Sequence, residues 1–227
     1  MVEPIFFAEK KGEKFFLPED ELHHLTVYRI RVPSKILFTT GDGILYSGTV
    51  DKNGNIYELI KVDHSNENEF VNLYFGLCDK NRMKFIFEKC TELGVRSFNP
   101  VITQKSEKYP LKKDRVFSIL KSAVKQSRRF KVPVYNEPVE LFKLDFDRSI
   151  DSFFGSLENK TKKTIEFKSE SVNIFIGPPS GFTKEEEEFL IKNGVKPFFF
   201  DVAVLRTETF AVAFLSIIHY LKGAKND

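Results

Sequence analysis

Apolar positions follow two different rhythms along this chain, and the change falls close to residue 69. Before it, apolar residues come in short runs rich in aromatic and β-branched side chains: IFF (5–7), KFFL (14–17), KILFTT (35–40), ILYSGTV (44–50) and NIYELIKV (55–62). Turn chemistry separates them at Lys11-Gly12, Gly41-Asp42-Gly43 and Asn53-Gly54. Such runs predict strands. Asn53-Gly54 between two of them predicts a type I′ hairpin. One helix is expected near Glu19–Ile30. Several short strands with tight turns point to a small barrel over residues 1–68. The polar stretch HSNENE (64–69) reads as a linker to a second domain, 69–227.

Beyond the linker, continuous apolar runs alternate with stretches of helical period. VNLYFGL (71–77), FNPVI (98–102), IDSFF (150–154), VNIFI (172–176) and PFFF (197–200) have no polar alternation, as expected of strands covered on both faces. Between Arg82 and Leu93, residues Met83, Ile86, Phe87, Cys90 and Leu93 fall on one helical face, and Gly94 supplies a stop. A second helix is expected over Asp114–Arg129. Thr183 and Glu186 have the spacing of a capping box for a third helix ending near Gly194. A last apolar helix runs from about Glu208 to Leu221. Strands alternating with helices predict an α/β domain with a mostly parallel sheet.

Composition narrows the picture. No window approaches 18 apolar residues, so no membrane span is expected. The start, MVEPIFFAEKKGEK, lacks the form of a secretory leader, which makes a reducing, cytoplasmic setting the expectation. Cys78 and Cys90 have no second pair, so neither a disulfide framework nor a zinc site is expected, and both read as small buried hydrophobes. Charge is distributed unevenly. Residues 1–70 hold 8 Lys+Arg against 12 Asp+Glu, whereas residues 80–131 hold 15 against 4. A basic middle in a nearly neutral chain suits either a solvated lysine-rich surface or a polyanion partner.

Ligands of open α/β sheets bind beyond the carboxyl ends of the strands. Three such ends stand out here: Phe154-Gly155-Ser156-Leu157, Ile176 to Phe182 (IGPPSGF), and Val204 to Thr209 (VLRTET). Neither GxGxxG nor GxxxxGK[ST] is present, so a dinucleotide fold or P-loop is not supported.

Taken together these segments resemble the 16S ribosomal RNA uridine N3-methyltransferases of the SPOUT, or α/β-knot, superfamily. His23-His24-Leu25 with Val27-Tyr28-Arg29 is similar to that family's amino-terminal HHL..VLR. Lys89 to Val95 followed by Pro100 is similar to its KATELGV…P, and Gln126-Ser127-Arg128-Arg129 with Pro133 to its QSGR..P. Ile176 to Phe182 corresponds to IGPEGGF, and Val204 to Thr209 matches VLRTET throughout. Departures fall at Pro179 and Ser180, where the family has Glu and Gly, at Asp201 and Ala203, and at Arg128, which replaces a glycine.

The resemblance implies a carboxy-terminal, trefoil-knotted α/β domain and an amino-terminal PUA-like β-barrel that assists RNA binding. It implies a homodimer acting on one uridine of small-subunit ribosomal RNA, with S-adenosylmethionine as methyl donor. The expected cofactor residues are Gly155, Leu157, Ile176, Gly177, Pro178, Gly181, Phe182, Val204, Leu205, Arg206 and Thr209. Uracil N3 carries a proton, so the reaction needs a base or a cation that stabilises the uracil anion. Arg206 is the candidate for the cation, and Glu208 for the base or for the residue that orients Arg206. A structural pair at a helix start is the alternative for both. Arg29, Lys105, Lys125, Arg128 and Arg129 are candidates for phosphate contacts. Lys89 and Glu92 are expected to pair with each other along one helix. Ribose 2′-O-methylation and a non-catalytic RNA-binding or assembly role are the competing functions.

Overall fold

The computed structural model describes residues 3–64, 69–107, 111–156, 166–199 and 204–223. The chain divides into two compact units, one of Met1–Glu67 with Leu120–Val132 and one of Asn68–Ile119 with Pro133–Asp227.

The first unit contains β1 (Ile5–Phe7), β2 (Glu9–Lys11), β3 (Lys14–Phe16), α1 (Glu19–Val27), β4 (Ser34–Thr39), β5 (Ile44–Val50) and β6 (Asn55–His64). They form one six-stranded sheet in the order β1-β4-β5-β6-β3-β2. Only β1 and β4 run parallel. Irregular register between β5 and β6, at Leu45/Tyr46 and Ser47/Thr49, adds local twist. Aromatic side chains dominate the core: Phe15, Phe38 and Tyr46 meet at centroid distances of 5.3 to 5.6 Å. The β5–β6 turn is not the expected type I′. Asn53 has no positive φ, Gly54 alone does (84°), and the Asp51 carboxylate accepts the amides of Asn53 and Asn55 at 2.9 Å. The Asp side chain organises a longer loop in place of two left-handed central residues.

α1 stops at Val27, three residues before the sequence suggested. Arg29 turns left-handed (φ 57°), its amide bonds Thr26 O, and the Ile30 amide bonds Leu25 O. These two bonds form a Schellman motif with an arginine in the position that glycine usually fills.

The second unit holds β7 (Val71–Gly76), α2 (Lys80–Glu92), β8 (Ser97–Ile102), the beginning of α3 (Lys113–Ser127), β9 (Val134–Tyr135), β10 (Val139–Glu140), β11 (Asp151–Gly155), β12 (Val172–Ile176), α4 (Lys184–Lys192), β13 (Lys196–Phe198) and α5 (Thr207–Gly223). Its sheet runs β10-β8-β7-β12-β11-β13, with β9 also on β8, and every pairing is parallel. The second half of α3 is grouped with the first unit, which the sequence boundary at residue 68 did not anticipate. Cys78 and Cys90 are free and buried, and Lys89 Nζ lies 2.7 Å from Glu92 Oε1. Among the described residues no helix is long and apolar enough to cross a membrane.

The two ends of this sheet differ in chemistry. Near the amino ends of the strands, a relay of side-chain amides and hydroxyls crosses it. Ser97 donates to Asn72 (2.8 Å), Asn72 to Asn173 (2.9 Å), and Asn173 to the Ser152 hydroxyl (3.1 Å). Asn72 is in register with both Ser97 and Asn173, and Asn173 with Ser152. Each polar group buried there finds a partner on the next strand. At the carboxyl ends the chain turns glycine-rich and opens the candidate site.

Candidate functional site

Four parallel strands deliver their carboxyl ends to one region of the second unit: β7 at Gly76, β8 at Ile102, β12 at Ile176 and β11 at Gly155. The segment Gly177–Phe182 leaves β12 and closes on itself through a hydrogen bond from the Gly181 amide to Pro178 O at 2.8 Å. A Cβ on Gly177 would lie 2.9 Å from the Phe182 nitrogen and 3.0 Å from the Gly181 carbonyl carbon, so only glycine fits there. A Cβ on Gly76 would come within 2.5 Å of the Pro178 nitrogen. The sequence pattern did not single out Gly76. Its only signal was its place at the end of a buried strand.

Several groups hold this segment. Thr183 and Glu186 form the expected capping box of α4. The Glu186 carboxylate is fully buried and also accepts the Gln104 amide at 2.7 Å. Lys105, a candidate for RNA contact, donates to Ser180 O at 3.1 Å. The Thr207 hydroxyl donates to Gly177 O at 3.3 Å. Gly155 lies against Phe210, where a Cβ would meet the ring at 2.5 Å. Phe154 meets Phe182 edge-on at 6.2 Å. The three strand ends picked out in the sequence are therefore joined in space. Leu157, Asp201 and Ala203 lie outside the described residues. Gly181 is left-handed (φ 68°), a Cβ added to it would meet no atom of the described residues within 4 Å, and Val204 is 77% exposed. Among the described residues, the site thus presents bare backbone at Gly181 beside an exposed apolar side chain, Val204.

Next to it, a cleft of about 630 Å³ is lined by Asp79, Asn81, Arg82 and Phe85 of the α2 start and by Arg206, Glu208 and Thr209 of the α5 start. Asp79 caps α2 by accepting the Asn81 and Arg82 amides at 3.0 and 3.1 Å. Its other oxygen lies 3.0 Å from Arg82 Nε, and the same nitrogen lies 3.7 Å from Glu208 Oε2. Glu208 is thus paired with Arg82, a residue that the sequence marked only as the start of a helix. That Glu208 oxygen is buried and has no hydrogen-bond partner among the described residues. Burial, reinforced by the charge of Asp79, pushes the Cys78 thiol up to about 12, so it supplies no nucleophile to the cleft at neutral pH.

In the first unit, Glu21 is buried and its carboxylate accepts the Phe7 amide at 3.2 Å. Lys125 is ion-paired to this carboxylate and is not a free surface cation. Arg29 and Arg128 are exposed and Arg129 is half-buried. Arg128 (φ 56°) repeats the arrangement of Arg29, with its amide on Lys125 O and the Arg129 amide on Val124 O at the end of α3.

Residues 65–219 match the family described as RNA methyltransferase domain. The chain is 28% identical to the Ribosomal RNA small subunit methyltransferase E of Aquifex aeolicus, over 94% of this chain and 98% of that protein. Against the protein of the same name from Bacillus subtilis it is 27% identical, over 93% and 91%. The crystal structure of a Ribosomal RNA small subunit methyltransferase E from Neisseria gonorrhoeae, bound to S-adenosyl methionine, superposes with a TM-score of 0.79 at 25% identity, covering 97% of this chain and 98% of that one. A probable rRNA-methyltransferase from Porphyromonas gingivalis shares the fold at a TM-score of 0.83 and 22% identity, covering 98% and 99%.

Proposed function

The chain belongs to the RNA methyltransferase domain family, and from that membership we propose that it methylates N3 of a uridine in small-subunit (16S) ribosomal RNA, using S-adenosylmethionine. The observation that carries the reading is the Thr207–Gly177 hydrogen bond. It ties the segment containing Arg206 and Glu208 to the glycine turn, so the residues suited to a proton transfer lie beside the open backbone suited to an adenosine group.

In this reading the Gly177–Phe182 turn and the Val204–Leu205 segment hold the cofactor, with Gly155 and Ile176 beneath them. When bound, the cofactor supplies an electrophilic methyl group. The protein's own contribution is to position the uracil and to remove its N3 proton. Glu208 accepts that proton, and Arg206 stabilises the charge that develops on the ring. The first unit acts as a PUA-like barrel and presents Arg29, Arg128 and Arg129 to phosphates. Arg206 and Glu208 serve a carboxy-terminal domain knotted in the α/β-knot manner, and the enzyme works as a cytoplasmic homodimer on the assembled subunit.

The test is transfer of a labelled methyl group from S-adenosylmethionine to small subunits that lack the modification. Label in the ribosomal RNA as N3-methyluridine supports the reading. Its absence, with subunits that another enzyme of this family methylates, overturns it.

A further inference from the structure

The cleft beside the glycine turn contains more recognition chemistry than the pair Arg206 and Glu208 requires. Arg82 lines it from α2, and its Nε lies 3.0 Å from Asp79 Oδ2 and 3.7 Å from Glu208 Oε2. Among the described residues no hydrogen bond leads from its guanidinium to a protein acceptor. An arginine has five N–H donors in a fixed fork, more than these two contacts can occupy. Arg206 lines the same cleft, is exposed, and likewise makes no side-chain hydrogen bond among the described residues. The buried Glu208 oxygen has no hydrogen-bond donor among the described residues. Phe85, one turn beyond Arg82 on α2, lines the cleft and is 41% exposed, although phenylalanine is a residue that burial normally claims.

These groups form a set: a cation with free donors, a carboxylate acceptor, a second cation with free donors, and an aromatic face. The imide edge of uracil presents the complementary groups: a carbonyl acceptor, the N3–H donor and a second carbonyl acceptor. Cytosine presents an amino donor in place of one carbonyl and has no N3 proton, so it mismatches the set at two positions. Aromatic faces bind flipped-out bases by stacking.

We propose that this cleft is the acceptor-base pocket and that Arg82 is a catalytic and specificity-determining residue. It donates to one uracil carbonyl, Arg206 donates to the other, and Phe85 stacks on the ring. This rests on the N3-methylation reading above. The N3–H bond breaks with its proton passing to Glu208. The electron pair left on N3 forms the new bond to the methyl carbon as the carbon–sulfur bond of the donor breaks, and sulfur leaves as a neutral thioether. Negative charge on the ring is shared by the two carbonyl oxygens, where the two guanidinium groups stabilise it. The charges of Asp79 and Glu208 hold Arg82 at the cleft before the base arrives, which reduces the ordering needed on binding.

The test uses the full chain with small subunits lacking the modification, comparing wild type, Arg82→Gln, Arg82→Lys and Phe85→Leu. Arg82→Gln is expected to lower kcat by about a hundredfold, the scale of losing one charge-stabilising donor, with S-adenosylmethionine affinity by calorimetry unchanged. The deficit should shrink as pH rises toward the range in which free uracil loses its N3 proton. A residue that merely joined α2 to α5 would not produce that dependence. Arg82→Lys should recover part of the rate. Phe85→Leu should raise KM for the subunit by roughly tenfold to a hundredfold, the stacking contribution of one base, with little change in kcat.

An Arg82→Gln enzyme with wild-type kcat at every pH overturns the assignment. If that variant does not fold, Phe85→Leu decides, and an unchanged KM overturns it. Absence of transfer by the wild-type enzyme is a different result and counts against the methylation reading itself.

Discussion

The hydroxyl of Thr207 donates to the carbonyl oxygen of Gly177 across 3.3 Å, joining the first residue of α5 to the turn that follows β12. Thr207 is 7% exposed, so water cannot readily replace it. Thr207→Val keeps the shape and removes the donor. The expected loss of stability in urea unfolding is about 1 kcal/mol. S-adenosylmethionine binding should weaken more than that change in stability would suggest, because the turn loses its anchor. A variant with wild-type cofactor affinity would show that the bond is structural only.

Lys125 and Glu21 form a pair that should matter to folding more than to RNA. The Glu21 side chain is 5% exposed, and removing Lys125 leaves its carboxylate buried against the Phe7 amide with only the His24 imidazole, 3.6 Å away, beside it. Lys125→Met is expected to cost about 3 kcal/mol, the scale of an orphaned buried charge. The double variant Glu21→Gln/Lys125→Met should regain part of it. Equal losses in the single and double variants by chemical denaturation would contradict the pairing.

Arg29 and Arg128 occupy left-handed positions that glycine fills at no steric cost. Gly94, at the end of α2, shows the usual solution (φ 83°). Arg128→Gly is therefore expected to stabilise the fold by about 1 kcal/mol. If Arg128 contacts phosphate, the same change should weaken RNA binding and reduce its salt dependence by about one charge. A variant that is more stable and binds RNA with an unchanged salt slope would leave Arg128 without a role in the RNA interface.

Asp151 links stability to pH. Its burial tends to raise the carboxyl. The amides of Lys168 and Ser169, the Ser169 hydroxyl and the charge of Lys196 outweigh burial and hold it below the usual carboxylate range. A carboxyl that ionises more readily folded than unfolded contributes its full stability above its unfolded value, about 3.9. That contribution is lost as pH falls through the lower folded value. Urea unfolding should therefore show stability declining below pH ~4, and Asp151→Asn should flatten this part of the decline. Parallel pH profiles for the two proteins would refute the assignment.

Much of the second unit was legible because its strands are continuous apolar runs, and a buried parallel sheet leaves no other pattern. VNIFI and VNLYFGL became neighbouring strands β12 and β7 with little change in their limits. The polar residues inside these runs were harder to read. Asn72 and Asn173 look like interruptions in sequence, and only the parallel register, which places them side by side, turns them into a relay. Glu21 was hidden for a similar reason. In EDEL it is one acid among several, and its burial depends on Lys125, distant in sequence.

The candidate site was legible as segments and not as pairs. IGPPSGF and VLRTET stood out, and their contact through Thr207 joins them. The partner of Glu208 did not stand out, because Arg82 sits in a helix whose first turn gives no periodic signal. Asp79, whose side chain caps that helix and holds Arg82, was passed over for the same reason. The Asn53-Gly54 turn was misread because the local dipeptide preference yielded to the hydrogen bonds of Asp51.

The most direct test of the central claim is the identity of the methylated nucleoside. Small subunits lacking the modification are incubated with the protein and labelled S-adenosylmethionine, and the ribosomal RNA is digested to nucleosides. The expected result is label in N3-methyluridine, lost when Glu208 is replaced by Gln. Label in a 2′-O-methylated nucleoside, or none where another family member methylates the same subunits, would contradict it.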